Sequence, residues 1–361
     1  MARAAVLEAP RRLVTRELPL PDIGDDDGLL RVEACGLCGT DHEQYTGALP
    51  AGFAFVPGHE TIGVVEQVGA RAAERWQVRP GDRVAVEVFL SCRQCPPCRS
   101  GEYRRCREHG LAHMYGFRPV DRPPGLWGGY GEHQYLEPDS MLLPVPSDLD
   151  PVVATAFNPL GAGIRWGVTI PGTGPGDVVA VLGPGIRGLS VCAAAKDAGA
   201  AFVLVTGHGE RDAPRLELAQ AFGADLAVDV AAADPVDALR LATGGLADVV
   251  VDVTAKAPGA LAQAVALARP GGTVVIAGTR GTTGTPGFVP DLIVYKELRI
   301  VGALGVDAPA YREALEVLAS GRWPFAELPR EVVDLDAVED LLRRMAGEGD
   351  TPPVHGVVVP R

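Results

Sequence analysis

The stretch Asp177-Val-Val-Ala-Val-Leu-Gly-Pro-Gly-Ile-Arg-Gly188 decides the fold. It opens with a short apolar run, continues through Gly183-Pro184-Gly185-Ile186-Arg187-Gly188, and leads into the Ala-rich, helix-prone segment Leu189 to Ala198. A G-x-G-x-x-G motif alone is weak evidence and fits a plain glycine turn. Between a strand and a helix it has a physical purpose. The glycines let the backbone turn tightly and approach a pyrophosphate, and the helix N-terminus supplies amide donors and the positive end of its dipole. The segment therefore predicts a dinucleotide site at Gly183, Gly185, Ile186 and Gly188.

The residues downstream continue this pattern. Ala201–Val205, Asp248–Val253 and Gly272–Ala277 read as buried strands, and Arg215 to Phe222 as a helix. Continuous apolar strands alternating with helices predict a doubly wound parallel sheet, an α/β Rossmann domain over 151–295. The first 150 residues have a different texture. Gly and Pro punctuate short strands such as Gly63–Val68 and Asp82–Val88, so this part should be β-rich. The tail supplies a strand (Arg299–Gly302), a helix (Tyr311 to Ala319) and the strand-like Val354–Val359. A terminal strand needs a sheet, and a return to the N-terminal half is one answer. The expected division is thus 1–150 with 296–361, and 151–295. A chain of 361 residues is too long for one ordinary core.

The end of the second strand bears on which dinucleotide binds. An acid usually stands there to hold a ribose hydroxyl. Here the sequence runs Thr206-Gly207-His208, with Gly207 at the acid's place and Arg211 and Arg215 following. Loss of a carboxylate and gain of guanidinium groups favour a 2′-phosphate, hence NADP. Glu210 or Asp212 swinging back onto the ribose would give NAD instead.

Composition narrows the function further. A net charge of −13 argues against nucleic-acid or anionic-membrane partners, which need clustered Lys and Arg. No apolar run approaches the ~20 residues of a membrane span, and the N-terminus lacks the pattern of a secretory signal. A cytoplasmic location is expected. Seven cysteines, four of them crowded into one window, fit metal binding in a reducing compartment better than a disulfide framework.

That window is Cys92-Arg-Gln-Cys95-Pro-Pro-Cys98-Arg-Ser-Gly-Glu-Tyr-Arg-Arg-Cys106. Two-residue gaps let neighbouring thiolates converge on one ion, and the longer gap lets the chain return with the fourth. Four sulfurs satisfy tetrahedral zinc and leave no open position, so a site in the lobe at about 90–108 should be structural. Arg93, Arg99, Arg104 and Arg105 are expected around it, offsetting thiolate charge. Surface thiols, a redox relay or a small nucleic-acid knuckle are the competing readings.

A second group is Cys35-Gly-Leu-Cys38-Gly-Thr40-Asp41-His42-Glu43 with Gly58-His59-Glu60 about twenty residues later. A Cys, a His and adjacent carboxylates can form a zinc site that keeps an open position. With these motifs the chain resembles the zinc-containing medium-chain dehydrogenases, the group of alcohol, polyol, glucose and threonine dehydrogenases. The motif G-H-E-x-x-G-x-x-x-x-x-G is met by Gly58, His59, Glu60, Gly63 and Gly69, and the resemblance covers essentially the whole chain.

The resemblance implies a GroES-like catalytic domain beside the Rossmann domain. It also implies one catalytic and one structural zinc per chain. Cys38 and His59 match the catalytic-zinc ligands, Glu60 the adjacent carboxylate, and Thr40 the hydroxyl of a proton relay. Asp41 would orient His59. Cys35 matches a core position, a redox pair with Cys38 being the alternative. Zinc would act as a Lewis acid on the oxygen of an alcohol or carbonyl substrate, and hydride would pass to or from NADP or NAD. A homodimer or homotetramer is implied.

Two departures stand out. The relay histidine usually lies five residues after the catalytic Cys, but that position is Glu43 and the histidine is His42, either an outer relay or a surface residue. Asn158, in Ala156-Phe-Asn-Pro-Leu160, occupies the acid position of a segment resembling polyol dehydrogenases. An amide oxygen is a poorer zinc ligand than a carboxylate. Asn158 could ligate weakly or hold a water, leaving Glu60 a larger share.

Phe53, Tyr115 and Trp127 are candidates for lining the substrate pocket or for packing, and the Gly- and aromatic-rich segment His113–Tyr130 could form a pocket wall. The rival functions are an enoyl-type reductase without catalytic zinc and a non-catalytic cofactor-binding protein.

Overall fold

A computed structural model describes residues 1–281, 284–345, 347–348 and 353–361. The chain forms two compact units. One contains Met1–Phe157, Asp307–Gly321 and Phe325–Arg361, the other Asn158–Val306 with Arg322–Pro324.

The first unit takes from the N-terminal half β1 (Ala2–Ala9), β2 (Arg12–Leu18), β3 (Gly28–Leu37), β4 (Glu60–Val68), β5 (Arg83–Val86), β6 (His133–Leu136) and β7 (Leu142–Pro144). β1 and β2 form an antiparallel ribbon. β3 is the hub of the larger sheet. It pairs antiparallel with β4 and β6, and its far end meets a strand from the tail. Alternation of buried Leu30, Val32 and Ala34 with Arg31 and Glu33 gives β3 one dry face, as period-two patterning requires. Several apolar clusters pack the unit, two of them larger than the rest among the described residues. One is built around Leu7, Cys35, Phe55 and Tyr130, the other around Leu30, Trp76, Tyr115 and Trp127.

The second unit holds β8 (Val178–Leu182), β9 (Phe202–Gly207), β10 (Leu226–Asp229), β11 (Ala247–Asp252), β12 (Ala268–Ile276) and β13 (Arg299–Gly302). Every pairing among them is parallel, in the order β10-β9-β8-β11-β12-β13. The order reverses between β8 and β11. The crevice beyond the carboxyl ends of those two strands is where open α/β sheets bind ligands. Leu182 pairs with Thr206 on one side and Asp252 on the other, so these residues mark one carboxyl edge. β13 joins the parallel sheet beyond β12, so the expected tail gives its first strand to this unit.

The helix expected from Arg215 starts earlier, at Gly209, and runs to Ala219. Two carboxylates fix its start. Asp212 accepts the His208 amide at 2.9 Å, and Asp229, at the end of β10, accepts the Gly209 amide at 2.8 Å. Pro214 lies in the middle of the helix, where its missing N–H removes one bond to the Glu210 carbonyl.

β14 (Arg330–Val333) and β15 (His355–Val358) complete the first unit. β15 pairs parallel with β14 and antiparallel with β3, so the terminal strand does return to the N-terminal sheet. Among the described residues, no helix is long and apolar enough to cross a membrane.

Candidate active site and metal centres

β3 ends at Leu37, and Cys38 immediately caps the helix Gly39–Thr46. Its Sγ accepts the Thr40 amide at 3.3 Å, while the Asp41 carboxylate accepts the Cys38 amide at 2.9 Å. This reciprocal capping box fixes Cys38 and Asp41 together. Gly58 and His59 arrive just before β4, which begins at Glu60. Cys38 Sγ then lies 3.2 Å from His59 Nε2, and Glu60 completes a buried group whose ligand atoms all fall within 4.8 Å.

Asp41 works behind this group. One of its oxygens lies 3.5 Å from His59 Nδ1 and accepts the Gly58 amide at 3.3 Å. Burial opposes ionisation of Asp41, but His59 and the two amides hold its carboxyl below the ordinary value. An anionic partner at Nδ1 leaves Nε2 directed toward Cys38, the arrangement a ligating imidazole needs. Cys35 is a core residue. Its thiol contacts the Gly36 carbonyl and Thr61, and burial pushes it well above the ordinary range. Gly36 has no room for a side chain because the Glu60 carboxylate fills that space. Thr40 and His42 lie half-buried on the capped helix, with the His42 carbonyl accepting the Thr46 hydroxyl at 3.0 Å.

Part of the segment read as a candidate pocket wall packs behind the turn that leads into β4. A Cβ on Gly116 would stand 2.9 Å from the Gly58 carbonyl, and Gly128 and Gly129 press as closely on Val56 and Cys35. The Gly129 and Tyr130 amides bond to the carbonyls of Gly58 and Pro57. Tyr115 and Trp127 are core residues. Tyr115 bonds to Ser140 at 2.6 Å, and Trp127 lies under the buried Arg118 guanidinium at 3.9 Å. Phe53 is exposed, with its edge on Phe55. Sequence reasoning missed Phe117, whose ring lies 5.7 Å from that of His59. Its neighbour Gly116 was the available signal, because a glycine allows the chain to pass so close.

The four cysteines of the lobe also converge. Cys92 and Cys98 sulfurs are 3.8 Å apart, Cys95 and Cys106 sulfurs 4.0 Å apart, and all four lie within 4.8 Å of one another. Sulfurs about 2.3 Å from a tetrahedral zinc would be about 3.8 Å apart, so the donor set fits that ion. The Arg107 amide pulls Cys95 down to about 6. Of the arginines expected to offset the thiolates, Arg93 interacts electrostatically with Cys92 and Cys98. Arg104 turns inward to Glu102 at 2.8 Å and Asp307 at 3.4 Å, an ion pair that burial requires once its guanidinium is inside.

In the second unit, Gly183 adopts a φ of 105° and Gly185 caps the helix Ile186–Asp197, with nothing within 4 Å of where its Cβ would point. Gly188 has no space for a side chain, because the Gly183 carbonyl fills it. An open approach above Gly185 and a helix N-terminus beyond it fit a dinucleotide pyrophosphate. Thr206 and Gly207 end β9, and His208 and Arg211 are exposed beyond it. Gly207 is hemmed in. A Cβ there would meet Asp212 at 2.9 Å and Pro184 at 3.0 Å. Arg215 is 3.3 Å from Asp212 in an ion pair. Asn158 is buried in the helix Phe157–Ile164, and its Oδ1 accepts Arg187 at 3.4 Å.

Residues 24–147 match the family model described as alcohol dehydrogenase GroES-like domain, and residues 188–320 that of zinc-binding dehydrogenase. A probable alcohol dehydrogenase of Mycobacterium tuberculosis is 72% identical over 362 residues, covering 100% of this chain and 99% of its own. The chain belongs to the zinc-containing medium-chain dehydrogenases. Sorbitol dehydrogenase of Bacillus subtilis is a more distant relative, 31% identical and covering 95% of this chain and 93% of its own. A solved zinc-binding dehydrogenase from Sinorhizobium meliloti, bound to NADP, is similar at a TM-score of 0.85 and 30% identity, over 100% of this chain and 99% of that one. As a member of this family, the chain is an oxidoreductase acting between an alcohol or carbonyl carbon and NAD(P).

Proposed function

We propose that Cys38, His59 and Glu60 hold a catalytic zinc, that the four lobe cysteines hold a structural one, and that the Gly183–Gly188 loop seats NADP in preference to NAD. The buried Cys38–His59 pair, with Asp41 behind it, carries this reading. When bound, zinc supplies a Lewis acid that makes the substrate hydroxyl more acidic or polarises its carbonyl. Asp41 keeps His59 in the tautomer that presents Nε2. Thr40 takes the hydroxyl proton outward, with His42 two residues along the same helix as the next group. The Gly183–Gly188 loop would hold the dinucleotide, which when bound would supply a nicotinamide able to take hydride from an alcohol or give it to a carbonyl compound. Asn158 is assigned to holding Arg187 rather than to strong ligation, which leaves Glu60 the larger share of the site.

The first unit is proposed as the GroES-like catalytic domain and the second as the dinucleotide-binding domain. The substrate is a small alcohol or carbonyl compound. The polyol-like segment at Asn158 and the similarity to a sorbitol dehydrogenase favour a hydroxylated one. Among the described residues β13 is the last strand of its sheet, with exposed Val294 and Tyr295 just before it, which supports a homodimer or homotetramer. Free thiols suit the cytoplasm.

NADP is favoured because Gly207 offers no carboxylate to repel a 2′-phosphate and Arg211 is exposed two residues into the following helix. One observation favours NAD. Asp212 stands beside Gly207, where the missing acid would lie. The deciding experiment measures kcat/KM with each dinucleotide on alcohol and enone panels, with metal content from the same sample. The expected result is a higher value with NADP on alcohols. A higher value with NAD overturns the cofactor preference, and activity confined to enones overturns the zinc-alcohol reading.

A further inference from the structure

β11 ends in Asp252, a fully buried carboxylate at the carboxyl edge beside Leu182. One oxygen accepts the Thr254 hydroxyl at 2.6 Å and the Thr254 amide at 3.0 Å. The other pairs with Arg280, which reaches over from the loop following β12. The same guanidinium donates to the Ala257 carbonyl at 3.0 Å and the Gly278 carbonyl at 3.4 Å. The Lys256 amide donates to the Thr279 carbonyl at 3.3 Å. Two loops at the carboxyl edge are thus tied face to face. They lie so close that a Cβ on Gly278 would collide with the Thr254 backbone.

Thr254, between them, reaches the glycine loop. Its Cγ2 lies 3.2 Å from where a Cβ on Gly183 would stand. Gly183 is the first glycine of the cofactor loop, at the crossover where the sheet order reverses. A buried ion pair is a weak source of stability compared with apolar packing, so its presence at this edge calls for another purpose.

We propose that Asp252 and Arg280 are positioning residues for the dinucleotide. They hold Thr254 against Gly183 and thereby set the height of the glycine loop under the pyrophosphate. The inference rests on the glycine-loop reading of the cofactor site. Neither residue is assigned to the chemistry, so their loss acts on cofactor binding rather than on the transfer step.

The test measures Kd for NADP and for NAD by titration calorimetry on the zinc-loaded enzyme, beside kcat at saturating cofactor. Arg280→Met leaves a buried unpaired carboxylate and is expected to weaken both dinucleotides by about tenfold or more, with kcat changed less than about threefold. Asp252→Asn combined with Arg280→Met should bind more tightly than Arg280→Met alone, because no buried charge is left without its partner. Thr254→Val keeps the shape and loses the hydroxyl, so it tests the idea even where the charge variants do not fold. It should weaken binding by about three- to tenfold at near-normal Tm. Thr254→Val with unchanged Kd overturns the proposal, as do Arg280 variants that lower Tm alone. Wild-type protein that binds neither dinucleotide overturns the glycine-loop reading and this inference together.

Discussion

The lobe cluster and the buried cluster use the same ligand, a cysteine thiol, on opposite plans. The lobe draws four sulfurs from fifteen consecutive positions, Cys92 to Cys106, and three of the four cysteines are only half-buried. The buried cluster takes Cys38 from the end of β3 and Glu60 from the start of β4, with Asp41 and Gly36 shaped around them. The lobe is a closed donor set in which local spacing does most of the work. The buried cluster needs a sheet, a helix cap and a packed glycine segment to bring its three candidate ligands to one point. On the zinc reading proposed above, the first design would suit stability and the second chemistry, because three protein donors would leave a coordination position for substrate.

The largest effect should follow from breaking the buried cluster. Cys38→Ser is expected to lower kcat/KM by about a thousandfold or more, with one metal per chain left and a Tm within a few degrees of wild type. Kinetics and metal analysis on the same preparation check it. Glu60→Ala is expected to lose the buried-site zinc and keep the lobe zinc, with activity falling by about a hundredfold. Two zinc ions per chain in that variant would count against the assignment.

Breaking the lobe should invert the pattern. Cys98→Ser is expected to lower Tm by about 5–10 °C. Activity of the folded enzyme should change less than about tenfold. A variant that stays as stable as wild type would show that the lobe does not depend on its metal.

The smallest effect concerns the lobe's anchor. The Tyr103 hydroxyl donates to Glu87 at 2.6 Å and accepts the Ala308 amide at 2.6 Å. Burial pushes Glu87 up to about 8. A carboxyl whose folded pKa exceeds its unfolded value contributes stability below the unfolded pKa, and that contribution is lost as pH rises through the folded value. Stability should therefore decline between about pH 5 and pH 8 for this reason, by a few kcal/mol at most. Glu87→Gln should flatten that decline; an unchanged pH profile would exclude Glu87 as its source.

Much of the fold was legible in the sequence. Val178–Leu182 and Ala247–Asp252 are apolar enough to be buried parallel strands wherever they fall, and the four-cysteine spacing carries its own geometry. What escaped depends on parts of the chain that meet only after folding. Aromatic identity could not tell that Tyr115 and Trp127 face the core while Phe117 faces His59. Nothing in the spacing of Asp252 and Arg280 announces an ion pair. The early start of the helix at Gly209 depends on Asp229, a side chain from the next strand. Arg104 looked like a counter-charge for thiolates because its partner Asp307 lies two hundred residues away in the chain.

The pairing of β15 with β3 has a consequence for the newly made protein. Cys38 follows directly from β3, yet one edge of β3 is covered only when residues 355–358 are available. On a ribosome, the whole of the second unit emerges before that cover exists. The end of β3 that leads into Cys38 is therefore made early and paired late. The lobe cysteines face no such delay, since all four emerge within one short stretch.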